Sequence, residues 1–299
     1  MRLIRRLNFK RRGVLSLVCF VIFCLMWLAW INSKVEKGAG DGPRNLNNAD
    51  RDWVMLNFPG DGVDVLPSRL ELLQMSHRDL ANLYHNYIGT VQTECDDVVR
   101  MGNLGDGGWF ICNDEIYRPK DPCLVYSFGV GDDFSFEDSI LHQYHCEIHS
   151  FDPSMTMPEG KRDDEVWFHN YGLADFTGNF NNGWKMNTLS SIKTQLNHSS
   201  REIDILKVDI EEWEWNALPN MMKTGVINTA RQIAIEIHIS IGPEPLKIKY
   251  LKSLLVLKDF YQAGFQTVLS IQNHWCDFFS QFSDEKRVGC HNLLYVRVK

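Results

Sequence analysis

From about residue 94 onward, short apolar runs alternate with amphipathic stretches. The runs cover residues 124–128, 147–151, 166–169, 203–208, 232–238, 266–271 and 292–298, each of strand length and several apolar at nearly every position. Helical spacing marks 136–144, 189–196, 215–224 and 245–263 between them. This rhythm predicts βαβ units and a mostly parallel sheet buried on both faces. The last two runs are joined by a loop without helical periodicity, which predicts an antiparallel hairpin at the end of the sheet. Upstream, Leu70, Leu73, Leu80, Leu83 and Tyr84 predict one helix over 68–87.

The N-terminus has a different pattern. Six basic and no acidic residues precede an uninterrupted run of apolar or small residues at 14–31, long enough to cross a bilayer core of roughly 30 Å. Basic residues on its N-terminal side predict a cytosolic tail over 1–13 and a type II signal anchor. A cleaved signal peptide, giving a secreted protein, is the alternative. Residues 32–51, rich in Gly, Asn and charge, read as a stem. Residues 52–93 form a helical extension, and 94–299 form one domain of ordinary size. The expected location is the lumen of the Golgi or endoplasmic reticulum.

Beyond the anchor, 25 of the 31 Lys and Arg remain against all 38 Asp and Glu, a net charge of −13. Such a surface repels phosphate backbones and argues against nucleic acid as a partner. Cys19 and Cys24 lie in the apolar run, leaving Cys95, Cys112, Cys123, Cys146, Cys276 and Cys290. An even number beyond an anchor suits an oxidising lumen. Asn197-His198-Ser199 is a glycosylation sequon on the same side.

In an open α/β sheet, ligands bind beyond the carboxyl ends of the strands. The first strand ends in Gly129-Val130-Gly131, where missing side chains let backbone approach a ligand. A dinucleotide fingerprint needs a third glycine where Phe134 stands, and Asp132 and Asp133 disfavour a diphosphate. The same acids suit S-adenosylmethionine, which carries a sulfonium and an ammonium and no phosphate. Asp152 ends the second strand at the spacing of a ribose-binding acid, and Asp175 follows the third within reach of an adenine amino group. In DILKVDIEEWEWNAL (204–218), alternation puts Lys207, Asp209 and Glu211 on one face, the acids at the open end. They are placed to bind the methionine ammonium, to position a hydroxyl or to hold a divalent ion; a Lys207–Asp209 internal pair is the structural alternative. Glu236 and His238 share a face of the fifth strand and form a candidate acid/base pair. The run from His142 to His149 has a metal-box composition but straddles a helix end and a strand start away from this edge, and no metal site is expected there.

Together, DGGW (106–109), LVYSFG (124–129), SFDPS (150–154), LKVDIE (206–211) and EIH (236–238) resemble the methyltransferase-like 24 group and the wider FkbM-type methyltransferases. The likeness covers about 94–299 in consistent order. It implies a class I (Rossmann-like) α/β fold, a seven-stranded methyltransferase sheet with a C-terminal antiparallel hairpin. It also implies an S-adenosylmethionine-dependent O-methyltransferase acting on a sugar, glycan or small molecule. Ser127, Gly129, Gly131, Asp152 and Asp175 are then the cofactor-binding candidates, and Asp209, Glu211, Glu236 and His238 the catalytic ones. One departure stands out, because Glu212 occupies a place where FkbM-type sequences usually have Gly. A membrane-tethered binding module that kept the fold and lost catalysis is the competing class. Trp109, Trp184, Trp213, Trp215 and Trp275 are candidates to stack on a sugar.

Cys123 and Cys146 each stand six residues before a strand-end landmark, Gly129 and Asp152. Neighbouring strands would hold them about 5 Å apart. Local pairing is therefore expected: Cys95 with Cys112, Cys123 with Cys146, and Cys276 with Cys290.

Overall fold

The computed structural model describes residues 66–298 apart from 106, 164, 283 and 284. The apolar run at 14–31, the stem, Cys19, Cys24 and Asp106 lie outside the described residues. Among the described residues, no helix is long and apolar enough to cross a membrane.

The helix expected over 68–87 is two helices, α1 (Arg69–Gln74) and α2 (His77–Ile88). Met75 is extended, and the Ser76 hydroxyl accepts the Asp79 N–H, so a second N-cap restarts the chain in a new direction. A hairpin of β1 (Val98–Met101) and β2 (Trp109–Cys112) follows. Next come β3 (Leu124–Phe128), α3 (Ser135–Tyr144), β4 (Glu147–Phe151), β5 (Gly160–Asp163) and β6 (Val166–His169). A small sheet of β7 (Gly172–Leu173), β8 (Gly178–Asn179) and β9 (Lys185–Asn187) precedes α4 (Leu189–Gln195). The chain then forms β10 (Ile203–Val208), α5 (Glu214–Lys223), β11 (Ala230–His238), α6 (Lys247–Gln262), β12 (Phe265–Phe279) and β13 (Lys286–Arg297).

The main sheet has eight strands in the order β12-β13-β11-β10-β3-β4-β6-β5, one more than the seven expected. β3, β4, β6, β10 and β11 are parallel, and the C-terminal hairpin is antiparallel. The extra strand β5 lies antiparallel on the β6 edge, and all four of its residues, Gly-Lys-Arg-Asp, are exposed. A short charged edge strand buries nothing, so it leaves no apolar signal in sequence. The terminal hairpin is also longer than its apolar runs: in its distal half, the distal ribbon, exposed Gln272, His274, Trp275 and Phe279 interrupt buried Cys276 and Phe278, so no continuous apolar run marks it.

Every residue of β3 and β10 is buried, which is why their sequences are nearly continuous apolar runs. On one face, Val125, Ile148 and Ile205 pack with Phe136 and Ile140 of α3 and with Ile111 of the hairpin. On the other, the Phe128 and Phe151 rings stack at 4.4 Å. Burying each such side chain contributes about 1.5–3 kcal/mol. The described part of the N-terminal extension joins this core: Tyr84 is fully buried 5.5 Å from the Tyr250 ring of α6, and Arg69 pairs with Asp259.

The three expected disulfides are present: Cys95–Cys112, Cys123–Cys146 and Cys276–Cys290, with Cα separations of 6.0, 4.8 and 5.5 Å. The second bridges the starts of adjacent parallel strands, and the third closes the distal ribbon.

Candidate functional site

From β3 the chain steps through β4 to β6 on one side, then returns to place β10 and β11 on the other. The switch point, where such sheets bind ligands, therefore lies beyond the carboxyl ends of β3 and β10. The two glycines there have different tasks. Gly129 has φ +74°, and a Cβ on it would come within 1.6 Å of the Asp209 carbonyl oxygen, so it lets the two strand ends meet. The Asp209 N–H donates to Phe128 O at 3.0 Å across the same contact. Gly131 has φ +58° and no atom within 4 Å of where its Cβ would stand, so its open side faces the crevice.

Asp152 ties this loop to the end of β4. One carboxylate oxygen accepts the Gly131 N–H at 2.9 Å, and the other accepts the Ser154 N–H and hydroxyl at 2.8 and 2.6 Å. Ser127 is fully buried inside β3, so it backs the loop and presents no surface to a ligand. Asp175 is exposed beyond β7, its carbonyl accepting from Asn220 at 3.1 Å. Asp133 accepts from Ser135 N–H and Asn103, which outweigh its desolvation and lower its pKa. The Lys207 Nζ donates to Gly129 O at 2.7 Å and lies 5.1 Å over the Trp109 ring.

The four catalytic candidates converge on one nitrogen. His238, the last residue of β11, is 3% exposed, and its Nε2 stands 3.9 Å from Asp209 Oδ1, 3.9 Å from Glu211 Oε2 and 3.8 Å from Glu236 Oε2. A fourth acid, absent from the sequence candidates, holds the other side: Glu214 Oε1 lies 3.1 Å from His238 Nδ1 and also accepts the Ile210 N–H. Its signal in sequence was its place in the first turn of α5, just past the strand-end acids. Burial opposes a charge on His238, but the Glu214 hydrogen bond and the surrounding carboxylates outweigh it and raise its pKa to about 9. Burial, then the Asp209 charge, pushes Glu236 up to about 7. Trp215 Nε1 donates to the His238 carbonyl at 2.8 Å and pins the strand end.

Glu211 and Glu212 both take left-handed backbone, φ +54° and +73°. The turn thus keeps the conformation a glycine would favour, and the Glu212 side chain leaves along the surface to pair with Lys249 at 2.7 Å.

Glu236 also borders a cavity of about 480 Å³ between the β1–β2 loop and the distal ribbon. Asn273 donates to Glu236 at 2.8 Å, and Trp275 stands 95% exposed beside the opening. Gly107, Gly108 and Trp109 form the opposite wall: a Cβ on Gly107 would strike the Asp133 carboxylate at 1.9 Å, and one on Gly108 the Asn103 carbonyl at 1.8 Å. Two other tryptophans are engaged elsewhere. Trp213 meets Phe180 edge-on at 4.9 Å and Trp184 borders a smaller cavity with Pro153, whereas Trp109, buried under Lys207, lines the same cavity as Glu236.

The His142–His149 segment is divided by the fold. His145 is the left-handed C-cap of α3, while Glu147 and His149 enter a buried network with His169, His198 and Tyr126. Glu147, His149 and His198 have donor atoms close enough for a metal, but Arg201 is bonded to Glu147 and lies 3.3 Å from His198, so a cation already occupies that place.

The crevice fits S-adenosylmethionine in its chemistry: an open backbone at Gly131, an acid at the end of β4, and a concentration of carboxylates suited to a sulfonium and an ammonium. A family model described as "Methyltransferase domain" matches residues 72–282. "Probable methyltransferase-like protein 24" of Rattus norvegicus is 31% identical over 179 residues, 53% of this chain and 47% of that protein. The Homo sapiens protein of the same name is 28% identical over 178 residues, 51% of this chain and 45% of its own length. The chain spans about half the length of these curated relatives. A sheet with its switch point at β3 and β10, and a family match over most of the chain, together make this protein a member of the methyltransferase-domain family, similar over about half its length to the methyltransferase-like 24 proteins.

Proposed function

We propose that this protein is an S-adenosylmethionine-dependent methyltransferase that O-methylates a hydroxyl of a sugar, glycan or small molecule within the secretory lumen. The observation that carries the reading is the crevice at the switch point, where the Asp152-tethered Gly131 loop lies on one side of Asp209 and the His238 cluster on the other. Asp152 and Asp175 are placed for the ribose and adenine, and the open backbone at Gly131 admits the cofactor. When bound, S-adenosylmethionine supplies a methyl group on a sulfonium, open to displacement by an oxygen nucleophile. The cavity beside Glu236 admits the acceptor, Trp275 offers it a stacking face, and Glu236 is within the cavity wall to take the hydroxyl proton. Orienting that hydroxyl contributes most of the rate. Three disulfides and an exposed Asn197 in the sequon support an oxidising, glycosylating compartment.

Isothermal titration of the full chain with S-adenosylmethionine and S-adenosylhomocysteine tests this. Micromolar binding of both is expected, weakened about ten-fold or more in Asp152→Asn; binding of neither sinks the reading. A screen of methyl transfer onto glycans and small phenols then identifies the acceptor.

A further inference from the structure

His238 is 3% exposed, and its Nε2 faces a ring of carboxylate oxygens without a hydrogen bond to any of them. Its distances of 3.8 to 3.9 Å to Asp209, Glu211 and Glu236 are too long for one. The ring cannot turn to shorten them, because Nδ1 is held by Glu214 at 3.1 Å and the residue's carbonyl by Trp215 at 2.8 Å. Nε2 is therefore aimed into a gap between carboxylates, a place whose negative potential favours a positive charge, either the proton of His238 or a metal ion that replaces it.

We propose that Asp209, Glu211 and His238 hold a divalent first-row transition metal ion at the carboxyl ends of β10 and β11. Their donor atoms all lie within 4.8 Å of one another. Metal–ligand bonds of about 2.0–2.2 Å hold two donors on one ion roughly 3–3.5 Å apart, so a small contraction brings the three onto a common centre. An imidazole with two carboxylates suits Mn²⁺, Fe²⁺ or Zn²⁺ better than Mg²⁺ or Ca²⁺, which prefer oxygen alone. Glu214 supplies the outer carboxylate that metal-ligating histidines use. A carboxylate on Nδ1 requires the hydrogen there and leaves Nε2 for the ion. Glu214 is fully buried, and its second oxygen has no partner. Glu236 stays outside the ligand set, held by Asn273.

Metal binding does not depend on the methyl-transfer reading; the ion's task rests on it. An open coordination position takes the acceptor oxygen and polarises its O–H bond. The proton passes to the Glu236 carboxylate, and the oxygen's electron pair forms the bond to the methyl carbon as the carbon–sulfur bond breaks.

The test uses the full chain, stripped with a chelator and titrated with MnCl₂ by calorimetry and Mn²⁺ electron paramagnetic resonance. One Mn²⁺ per chain is expected. Affinity should fall about ten-fold or more in Asp209→Asn and in Glu211→Gln, and further in His238→Ala. The Glu211 side chain is 74% exposed, so that variant keeps its fold, as circular dichroism would show. Wild-type protein that ignores millimolar Mn²⁺, or folded Asp209→Asn and Glu211→Gln proteins that bind it as wild type does, overturns the site. Parallel titration with S-adenosylmethionine separates the two readings. Cofactor binding without Mn²⁺ binding refutes the metal site alone, and Mn²⁺ binding without cofactor binding supports the site while removing the methyl-transfer reading.

Discussion

At the scale of single residues, the two glycines of the first loop make different predictions. Gly129→Ala forces a methyl group into the Asp209 carbonyl, 1.6 Å away, so the ends of β3 and β10 must part. The expected cost is ~4 kcal/mol or more, read as a fall in the denaturant midpoint or as failure to fold. Gly131→Ala meets no atom within 4 Å and costs about 1–2 kcal/mol for the left-handed backbone alone. It should fold and instead weaken S-adenosylmethionine binding, because its methyl projects into the crevice. Glu212 offers a second contrast at φ +73°. Glu212→Gly should change stability by less than about 1 kcal/mol, since relief of strain offsets the lost Lys249 pair and the added freedom of the unfolded chain. Glu212→Val should cost about 2 kcal/mol, because a β-branched side chain tolerates that backbone poorly. The reason for glycine at 129 was not legible from the motif: it serves a strand-to-strand contact, which appears only once β10 is known to lie beside β3.

Among elements, the apolar runs marked the inner strands closely because strands buried on both faces carry apolar residues on both, and the polar residues they do hold, such as Asp204 and Lys207, find partners inside the fold. The runs for β3, β4, β6 and β10 end where the strands end. Other elements were missed: β5 is exposed throughout, whereas the β1–β2 hairpin and the small three-stranded sheet have strands of two to four residues, too short for a period to show although Ile111, Leu173 and Met186 are buried. The break at Met75–Ser76 escaped for another reason, since leucines on both sides kept the helical spacing while the Ser76 cap changed the axis. That cap is testable: Ser76→Ala should cost about 1 kcal/mol. The ribbon gives a prediction at the same scale. The Cys276–Cys290 bridge closes it across 14 residues of sequence, beside the cavity. Replacing both cysteines by Ser should raise amide exchange in 272–291 while the inner strands keep their protection. Uniform loss of protection across the sheet would show instead that the ribbon supports the whole fold.

For the whole molecule, stability should depend on pH through buried imidazoles. Burial lowers His149 to about 4, against the Glu147 hydrogen bond that raises it and the neighbouring His169 and His198 that lower it further. Burial likewise lowers His85 to about 3 and His291 to about 4. Each is a base whose folded pKa lies below its unfolded value near 6.5, so the unfolded chain takes up the proton first. Their contribution is complete above pH 6.5 and is lost as pH falls toward 4, on the order of a few kcal/mol in all. Glu147, held low mainly by Arg201 and His149 against its desolvation, adds a loss in the same direction at more acid pH. Glu236, raised to about 7, works the other way over this range, but one carboxyl is outweighed by three imidazoles. Thermal melting followed from pH 7.5 to 4.5 should therefore show a falling midpoint, and a flat profile would contradict the neutral, buried state of these histidines.

What the sequence determined by itself is what repeats locally or follows from strand period: the inner strands and their helices, the three cysteine pairs, and the placement of Asp209, Glu211, Glu236 and His238 at strand ends. Alternation along a strand and the fixed distance between neighbouring strands account for the strands, the site placements and Cys123–Cys146, while the other two pairs follow from nearness in sequence. Only the tertiary structure decided that the four site residues meet around a single nitrogen, that Glu214 completes the ring, that Lys207 reaches the Gly129 carbonyl, and that the distal ribbon and Gly107, Gly108 and Trp109 wall a cavity beside Glu236. Each of these depends on which strands become neighbours and on where buried polar groups find partners, and those choices are made between segments far apart in the chain.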